Sequence, residues 1–139
     1  MPTPQVLVLE DREAVRDLWT EGLEEAGYPA VGMASGTEAL ARLPELTPQL
    51  ILLDIRMPHM DGIQFLARLR ANLLWSHIPV LIISGIGDEL LKLTDRPLSQ
   101  FPTLSVRGIL QKPVQLETLI ERVRQVIGPG APVGQRIQP

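Results

Sequence analysis

The chain has no cysteine, no excess of basic residues and no long apolar segment, and each absence narrows the classes of protein it can belong to. Without cysteine it forms neither disulfide bonds nor thiolate metal sites, which fits a cytoplasmic protein. No apolar run approaches the roughly 20 residues of a membrane helix, and Met1 to Gln5 lack the pattern of a signal peptide. A net charge of -3 gives no basic surface for nucleic acid. We therefore expect a cytoplasmic protein with no direct contact to nucleic acid or a membrane.

The residues that are present suffice for one globular domain. The chain has 139 residues, of which 45% are hydrophobic and 21% are charged. These values are ordinary for a domain that buries a core. We assign residues 1–127 to this domain. Residues 128–139 are rich in Gly and Pro with few apolar groups, so we expect a flexible tail or the start of a linker.

Strand-like and helix-like segments alternate along the chain. Short apolar runs predict strands at residues 5–9, 28–34, 50–54, 78–83 and 108–111. Apolar residues at helical spacing predict helices at 13–26, 35–43, 63–73 and 116–127, and further turns of helix at 88–94. Pro44 is expected to end the second helix, and Pro97 and Pro102 to leave residues 96–106 irregular. This alternation predicts an α/β fold, a doubly wound parallel sheet with helices on both faces.

Polar residues follow the predicted strands at the points where they end. The apolar run Leu50 to Leu53 leads directly into a carboxylate, and other strands end in the same way. Because the carboxyl ends of parallel strands share one edge of a sheet, these side chains are expected to meet there. The residues concerned are Glu10 and Asp11, Asp54, Ser84 and Lys112.

The chemistry of this set points to phosphoryl transfer. Clustered carboxylates repel one another unless a cation joins them, and Mg²⁺ prefers such oxygen ligands. A lysine and a hydroxyl are common partners of phosphoryl oxygens. An aspartate can act as a nucleophile and become an acyl phosphate. The set therefore predicts a site that places phosphate on a carboxylate with the help of Mg²⁺.

Each of these residues also has a simpler interpretation. Asp54 would then only end a strand or start a turn, and Glu10 and Asp11 would only cap a helix. Lys112 would be a solvated charge, and His59 an exposed turn residue. Trp19 is expected in the core rather than at a partner surface.

From residue 5 to residue 127, the sequence resembles the receiver domain of two-component response regulators, the phospho-acceptor module of bacterial signalling. The resemblance implies a flavodoxin-like five-stranded sheet in the order 2-1-3-4-5. It rests on the acidic pair Glu10–Asp11 and on the segments Leu53–Pro58, Met60–Gly62, Ile82–Gly85 and Gln111–Pro113.

The resemblance also implies a role for each polar residue at the strand ends. Asp54 would be the phosphorylation site. Asp11 and Asp54 would bind Mg²⁺ directly, Glu10 mainly through a metal-bound water, and the backbone carbonyl of Arg56 would complete the protein ligands. Ser84 would donate its hydroxyl to the phosphoryl group. Lys112 would form an ion pair with Asp54 and then with the phosphate, and the peptide bond after it is often cis in this family.

The implied partners are other signalling proteins. A sensor histidine kinase or phosphotransfer protein would supply the phosphoryl group, and a downstream protein or output domain would read the switched surface. A homodimer is compatible with this family. The protein would not be an enzyme, since slow self-dephosphorylation would be its only turnover. It would be either a stand-alone receiver or part of a larger protein.

Two departures from the family pattern keep other functions open. Ile109 stands where the family often has an aromatic switch residue, and the segment from Ser84 to Lys112 is longer than usual. They motivate the alternative of a phosphorylation-independent scaffold for protein–protein interaction. An aspartyl phosphatase would need a second acid at the position of Arg56. Arg56 would either tune the lifetime of the phosphate or be an exposed surface residue.

Overall fold

The computed structural model describes residues 5–57, 59–85 and 106–131 of the chain. Five parallel strands form one sheet in the order β2-β1-β3-β4-β5. The strands are β1 (Val6–Leu9), β2 (Ala30–Met33), β3 (Leu50–Asp54), β4 (Val80–Ser84) and β5 (Val106–Gln111). The helices in the described part are α1 (Glu13–Glu25), α2 (Gly36–Leu46), α3 (Gly62–Arg70) and α4 (Leu116–Ile127). The predicted fold class and strand order are confirmed.

The three central strands are buried along their whole length, because helices cover both faces of the sheet. Alternate residues of each strand point to opposite faces, so two apolar clusters form. Leu7 and Leu53 belong to the cluster beneath α2 and α3. Val8 and Leu52 belong to the cluster beneath α1 and α4, together with Trp19. Trp19 is only 3% exposed, so its predicted place in the core is confirmed.

The second helix does not end at Pro44, which lies inside α2, so that prediction was wrong. Leu43 and Leu46 are both buried, and their packing carries the helix past the proline. The helix ends at Leu46, and the next residue, Thr47, adopts a left-handed conformation and donates its N–H to the carbonyl of Leu43. At the other end, the Ser35 hydroxyl accepts a hydrogen bond from the N–H of Glu38.

The third helix is shorter than predicted and ends at Arg70. The side-chain oxygen of Asn72 accepts a hydrogen bond from the N–H of Leu74, a local turn that competes with helix. Leu73, the last residue of the predicted helix, is consequently 90% exposed. In the described part of the chain, no helix has both the length and the apolar character needed to cross a membrane.

The last strand begins at Val106, two residues earlier than the predicted start at Gly108. The predicted helical turns at 88–94, and all of the predicted irregular stretch before Val106, lie outside the described residues.

The chain beyond α4 packs back onto the turn between α1 and β2. Ala131 donates its N–H to the carbonyl of Gly27 at 3.0 Å, and the Tyr28 hydroxyl donates to the carbonyl of Gly128. Gly27 has a φ of +99°, which favours glycine at this turn. The remainder of the predicted tail, residues 132–139, lies outside the described residues.

Candidate functional site

The polar strand ends meet beside β1 and β3. At this point the strand order reverses, because β2 lies on one side of β1 and all later strands lie on the other. Strand β1 pairs with β2 on one side and with β3 on the other, and ligands bind outside the carboxyl ends of such strands. Glu10 directly follows β1, and Asp54 is the last residue of β3. Each of Glu10, Asp11 and Asp54 offers an oxygen, and these oxygens lie within 4.8 Å of one another. We call these three carboxylates the acidic rim.

Asp54 is a buried carboxylate that is held at both oxygens. Its side chain is 2% exposed. Oδ1 accepts a hydrogen bond from the backbone N–H of Arg56 at 3.2 Å, and Oδ2 lies 3.2 Å from Nζ of Lys112. A cation and an N–H therefore fix the orientation of this carboxylate at the edge of the sheet.

Lys112 connects the acidic rim to the end of β4. Its Nζ lies 3.2 Å from Asp54 Oδ2 and 3.7 Å from Glu10 Oε2. Its backbone N–H donates to the carbonyl of Ser84 at 2.7 Å, which carries the β4–β5 pairing past the last residue of β5. The Lys112–Pro113 peptide bond is cis, as the sequence resemblance implied.

Glu10 is fully buried, yet the described residues leave one of its oxygens without a hydrogen bond. Oε1 accepts a hydrogen bond from Nε of Arg12 at 2.9 Å, whereas Oε2 has no hydrogen-bond partner. Burial and the neighbouring Asp54 carboxylate raise the pKa of Glu10 to about 7, against the opposing effect of Arg12 and Lys112. The pKa of Glu10 therefore stays raised although Arg12 and Lys112 both lie beside it.

This donor set fits a hard divalent cation. Three carboxylates within 4.8 Å offer the oxygen ligands that Mg²⁺ prefers, and Oε2 of Glu10, which accepts no hydrogen bond from the described residues, could accept one from a metal-bound water. The predicted contribution of the Arg56 carbonyl stays a prediction. The backbone N–H of Arg56 donates a hydrogen bond to Asp54.

Ser84 lies at the same edge as the acidic rim. It is 2% exposed, and it ends β4 between β3 and β5. Its hydroxyl donates to the carbonyl of Gly85 at 3.2 Å. Its predicted contact with a phosphoryl group stays a prediction.

The interpretation of the acidic pair as a helix cap does not agree with the structure. The residue before α1 is Arg12, which makes no side-chain capping bond. Asp11 is exposed and belongs to the acidic rim instead. His59 is exposed in the turn after β3, as expected for a surface residue, and Arg56 is exposed as well.

Ile109 occupies a half-buried position in β5, opposite Ile82 of β4. It packs against the apolar cluster beneath α2 and α3. The side chain at this position is therefore aliphatic and contributes to the core.

Sequence reasoning missed Arg12 and Arg16, which contact the acidic pair. Arg12 binds the side chain of Glu10, and Arg16 donates to the backbone carbonyls of Glu10 and Asp11. Their only sequence signal is their spacing: two basic residues lie four apart just after the acidic pair.

An apolar groove of about 470 Å³ opens directly beside the acidic rim. We call it the α1 groove. Leu18, one of its lining residues, is 54% exposed. Arg12 and Lys112 line the groove as well as contacting the rim. The other residues that line it are Val15, Trp19, Gly85, Pro113 and Val114.

Comparison with known proteins shows that this chain is similar to signalling domains. Residues 6–124 match the sequence model of a family described as the response regulator receiver domain. The chain is 32% identical over 124 residues to the DNA-binding dual master transcriptional regulator RpaA of Synechocystis sp., covering 89% of this chain and 49% of RpaA. It is 28% identical over 129 residues to the polar-differentiation response regulator DivK of Brucella ovis, covering 91% of this chain and 98% of DivK. The chain thus spans about half of RpaA and nearly all of DivK.

The solved structures give the same result. The chemotaxis protein CheY4 of Vibrio cholerae superposes with a TM-score of 0.75 at 26% sequence identity. The match covers 90% of this chain and 99% of CheY4.

Proposed function

Because the chain belongs to the response regulator receiver domain family, we propose that it accepts a phosphoryl group on Asp54 from a phosphohistidine donor and so switches its surface for a partner. Receiver domains in general use phosphorylation and Mg²⁺, and they interact with histidine kinases and with output domains or partners. The observation that carries the proposal is the buried carboxylate of Asp54, 3.2 Å from Lys112 within a cluster of three acids.

In the proposed transfer, a carboxylate oxygen of Asp54 attacks the phosphorus of the donor and forms a new P–O bond. The P–N bond to the donor histidine breaks, and the imidazole leaves with the bonding electron pair. The product on this chain is an acyl phosphate. Lys112, which lies 3.2 Å from Asp54 Oδ2 beforehand, then pairs with a phosphoryl oxygen.

The acidic pair would hold the metal for this transfer. Asp11 and Asp54 would bind Mg²⁺ directly, Glu10 through water, and the carbonyl of Arg56 would complete the protein ligands. When bound, the ion would neutralise the negative charge that otherwise opposes the approach of a phosphate to three carboxylates. Ser84 would donate its hydroxyl to the phosphoryl group.

The donor protein is proposed to dock in the α1 groove. A phosphorylated histidine must reach Asp54 past the exposed end of the sheet, and the groove lies beside Lys112 at that end. Its apolar lining suits the apolar face of a helix, and the exposed Leu18 would become buried on docking. A sensor histidine kinase or a phosphotransfer protein would present such a surface.

The phosphate would act by favouring one of two existing conformations. Ile109 provides no aromatic side chain for such a switch. We therefore assign the change to Ser84 and Lys112, whose backbones are joined by a hydrogen bond of 2.7 Å. A downstream protein or output domain would recognise the changed surface. Self-dephosphorylation would return the chain slowly to its first state.

Phosphorylation of Asp54 is the test. The protein is incubated with acetyl phosphate, with Mg²⁺ or with a chelator, and intact mass is followed beside an Asp54→Asn variant. A phosphate adduct that requires Mg²⁺ and is absent from the variant is the expected result. If Mg²⁺ binds, but neither acetyl phosphate nor a phosphorylated histidine kinase gives an adduct, the phosphorylation-independent scaffold replaces this proposal.

A further inference from the structure

Arg16 reaches back from the first turns of α1 to the acidic pair. Its Nη1 donates to the carbonyl of Glu10 at 3.0 Å and approaches the carbonyl of Asp11 at 3.4 Å. One guanidinium group therefore contacts the backbone of both members of the acidic pair, Glu10 and Asp11.

Among the described residues, few other hydrogen bonds are made by the backbone of Glu10 and Asp11 in the turn between β1 and α1. Glu10 donates its N–H to the carbonyl of Met33 at 3.1 Å, which is the last bond of the β1–β2 pairing. The residue before the helix, Arg12, gives no side-chain capping bond. Buried carbonyls need a partner, and Arg16 supplies one for Glu10. Because a carboxylate moves with its backbone, Arg16 also fixes where the side chains of Glu10 and Asp11 begin.

The position of the Arg16 side chain depends on Gly32 of β2, because glycine has no side chain. A Cβ atom placed on Gly32 would lie 2.7 Å from Cγ and 2.9 Å from Cδ of Arg16. It would also lie 3.2 Å from Cγ2 of Thr20. Gly32 thus leaves the space in which the aliphatic part of Arg16 crosses the edge strand. Any larger residue there must displace the arginine.

We propose that Arg16 is a positioning residue for the metal site, acting through the backbone of Glu10 and Asp11 rather than by contact with the ion. This inference rests on the proposed function, in which the acidic pair binds Mg²⁺. Gly32 supports this role of Arg16, because it leaves room for the aliphatic part of the side chain when the guanidinium group contacts both carbonyls.

When Arg16 is replaced, the loss of its charge and the loss of its positioning contacts should change the affinity for Mg²⁺ in opposite directions. Removing a positive charge near three carboxylates strengthens the binding of a divalent cation through Coulomb attraction alone. Loss of backbone positioning weakens binding, since partners that orient metal ligands typically contribute about 10- to 100-fold in metal affinity. The sign of the change therefore separates the two effects.

The test is the Mg²⁺ dissociation constant, measured by titration calorimetry on the whole chain without any phosphodonor. Arg16→Met keeps the aliphatic part of the side chain and is expected to weaken Mg²⁺ binding about 10-fold. Arg16→Lys keeps the charge and one donor group, and should recover part of the affinity. Arg42→Met removes the same charge from an exposed position on α2, and should leave the affinity unchanged.

Gly32→Ala provides a second route to the same result, because it displaces Arg16 without changing any charge. It should weaken binding several-fold, and adding Arg16→Met should then have little further effect. Urea unfolding of each variant monitors folding, and if Arg16→Met does not fold, Gly32→Ala and Arg16→Lys decide the question. Unchanged or tighter Mg²⁺ binding in the folded variants would overturn the inference. A wild-type chain that binds no Mg²⁺ would instead overturn the proposed function, and the inference with it.

Discussion

The acidic rim and the α1 groove lie side by side, and Arg12 and Lys112 contact the rim and also line the groove, but the two regions are built differently. In the rim, two carboxylates are buried and are held by charged contacts at 2.9 and 3.2 Å. The groove is lined mainly by apolar residues, and Leu18 within it is 54% exposed. The rim therefore has a fixed arrangement of charges, whereas the groove exposes apolar surface that a partner could bury.

This difference suggests that the rim and the groove have separate functions. Under the proposed function, a phosphodonor of any size must meet the same charges at Asp54, so the rim should matter for every donor. The groove can contact only a donor large enough to extend along α1. Changes in the rim should therefore alter the chemistry itself, and changes in the groove should alter only which donor is used efficiently.

Replacing Lys112 should have the largest effect on the rim. In Lys112→Met, we expect phosphorylation by acetyl phosphate to slow by about 10²- to 10³-fold, since a preorganised charge at the transferring group is lost. The measurement is the initial rate of adduct formation by intact mass at saturating Mg²⁺. Arg124→Met, which removes an exposed cation from α4, is the matched control. An unchanged rate in Lys112→Met would show that the rim does not act through this cation.

Glu10 should give the rim a pH dependence that the groove lacks. Its pKa is raised from 4.5 to about 7, so between these values the folded chain retains a proton that the unfolded chain has lost. The free energy of unfolding should therefore fall as the pH rises through this window, by about 3 kcal/mol in total. Urea unfolding in chelator from about pH 5 to pH 8 should show this loss in the wild type.

Two variants isolate this contribution of Glu10. Glu10→Gln should remove the loss, and Glu45→Gln, in an exposed surface pair, should retain it. Added Mg²⁺ should oppose the loss near pH 7, because the ion favours ionised Glu10. If the wild type and Glu10→Gln unfold with the same pH dependence, the burial of Glu10 does not set its ionisation.

The rim and its contact with Lys112 could be predicted from sequence because each of these residues follows a local signal. Asp54 ends the apolar run that begins at Leu50, and Lys112 follows the last strand. Once the alternating pattern indicates a parallel sheet, topology alone brings these strand ends together. The contacts of Arg12 with Glu10 could not be predicted in this way, because they depend on how the chain turns between β1 and α1.

The groove could not be predicted because helical periodicity does not determine how much of an apolar face is covered. Leu18 and Trp19 both belong to the apolar pattern of α1, yet Leu18 is 54% exposed and Trp19 is 3% exposed. Leu73 was misassigned for a related reason, since α3 ends before reaching it. Pro44 shows the converse, because buried leucines on either side extend α2 past a residue that usually ends a helix.

Replacing Leu18 should have the smallest effect on phosphotransfer, but it should separate the contribution of the groove from that of the rim most clearly. In Leu18→Ala, we expect phosphotransfer from a phosphorylated histidine phosphotransfer protein that is active on the wild type to slow about 10-fold. The reason is the loss of roughly 1–2 kcal/mol of apolar contact from the docked complex. Acetyl phosphate is too small to extend into the groove, so its rate should stay unchanged.

The comparison uses kcat/KM for the protein donor and the initial rate for acetyl phosphate, measured on the same preparations. Leu74→Ala is the matched control, because Leu74 is 74% exposed but lies in the loop after α3. Equal slowing with both donors would mean that Leu18 supports the rim through the packing of α1, so that groove and rim form one structure. Slowing with the protein donor alone would place donor selection in the groove and leave the chemistry to the charges at Asp54.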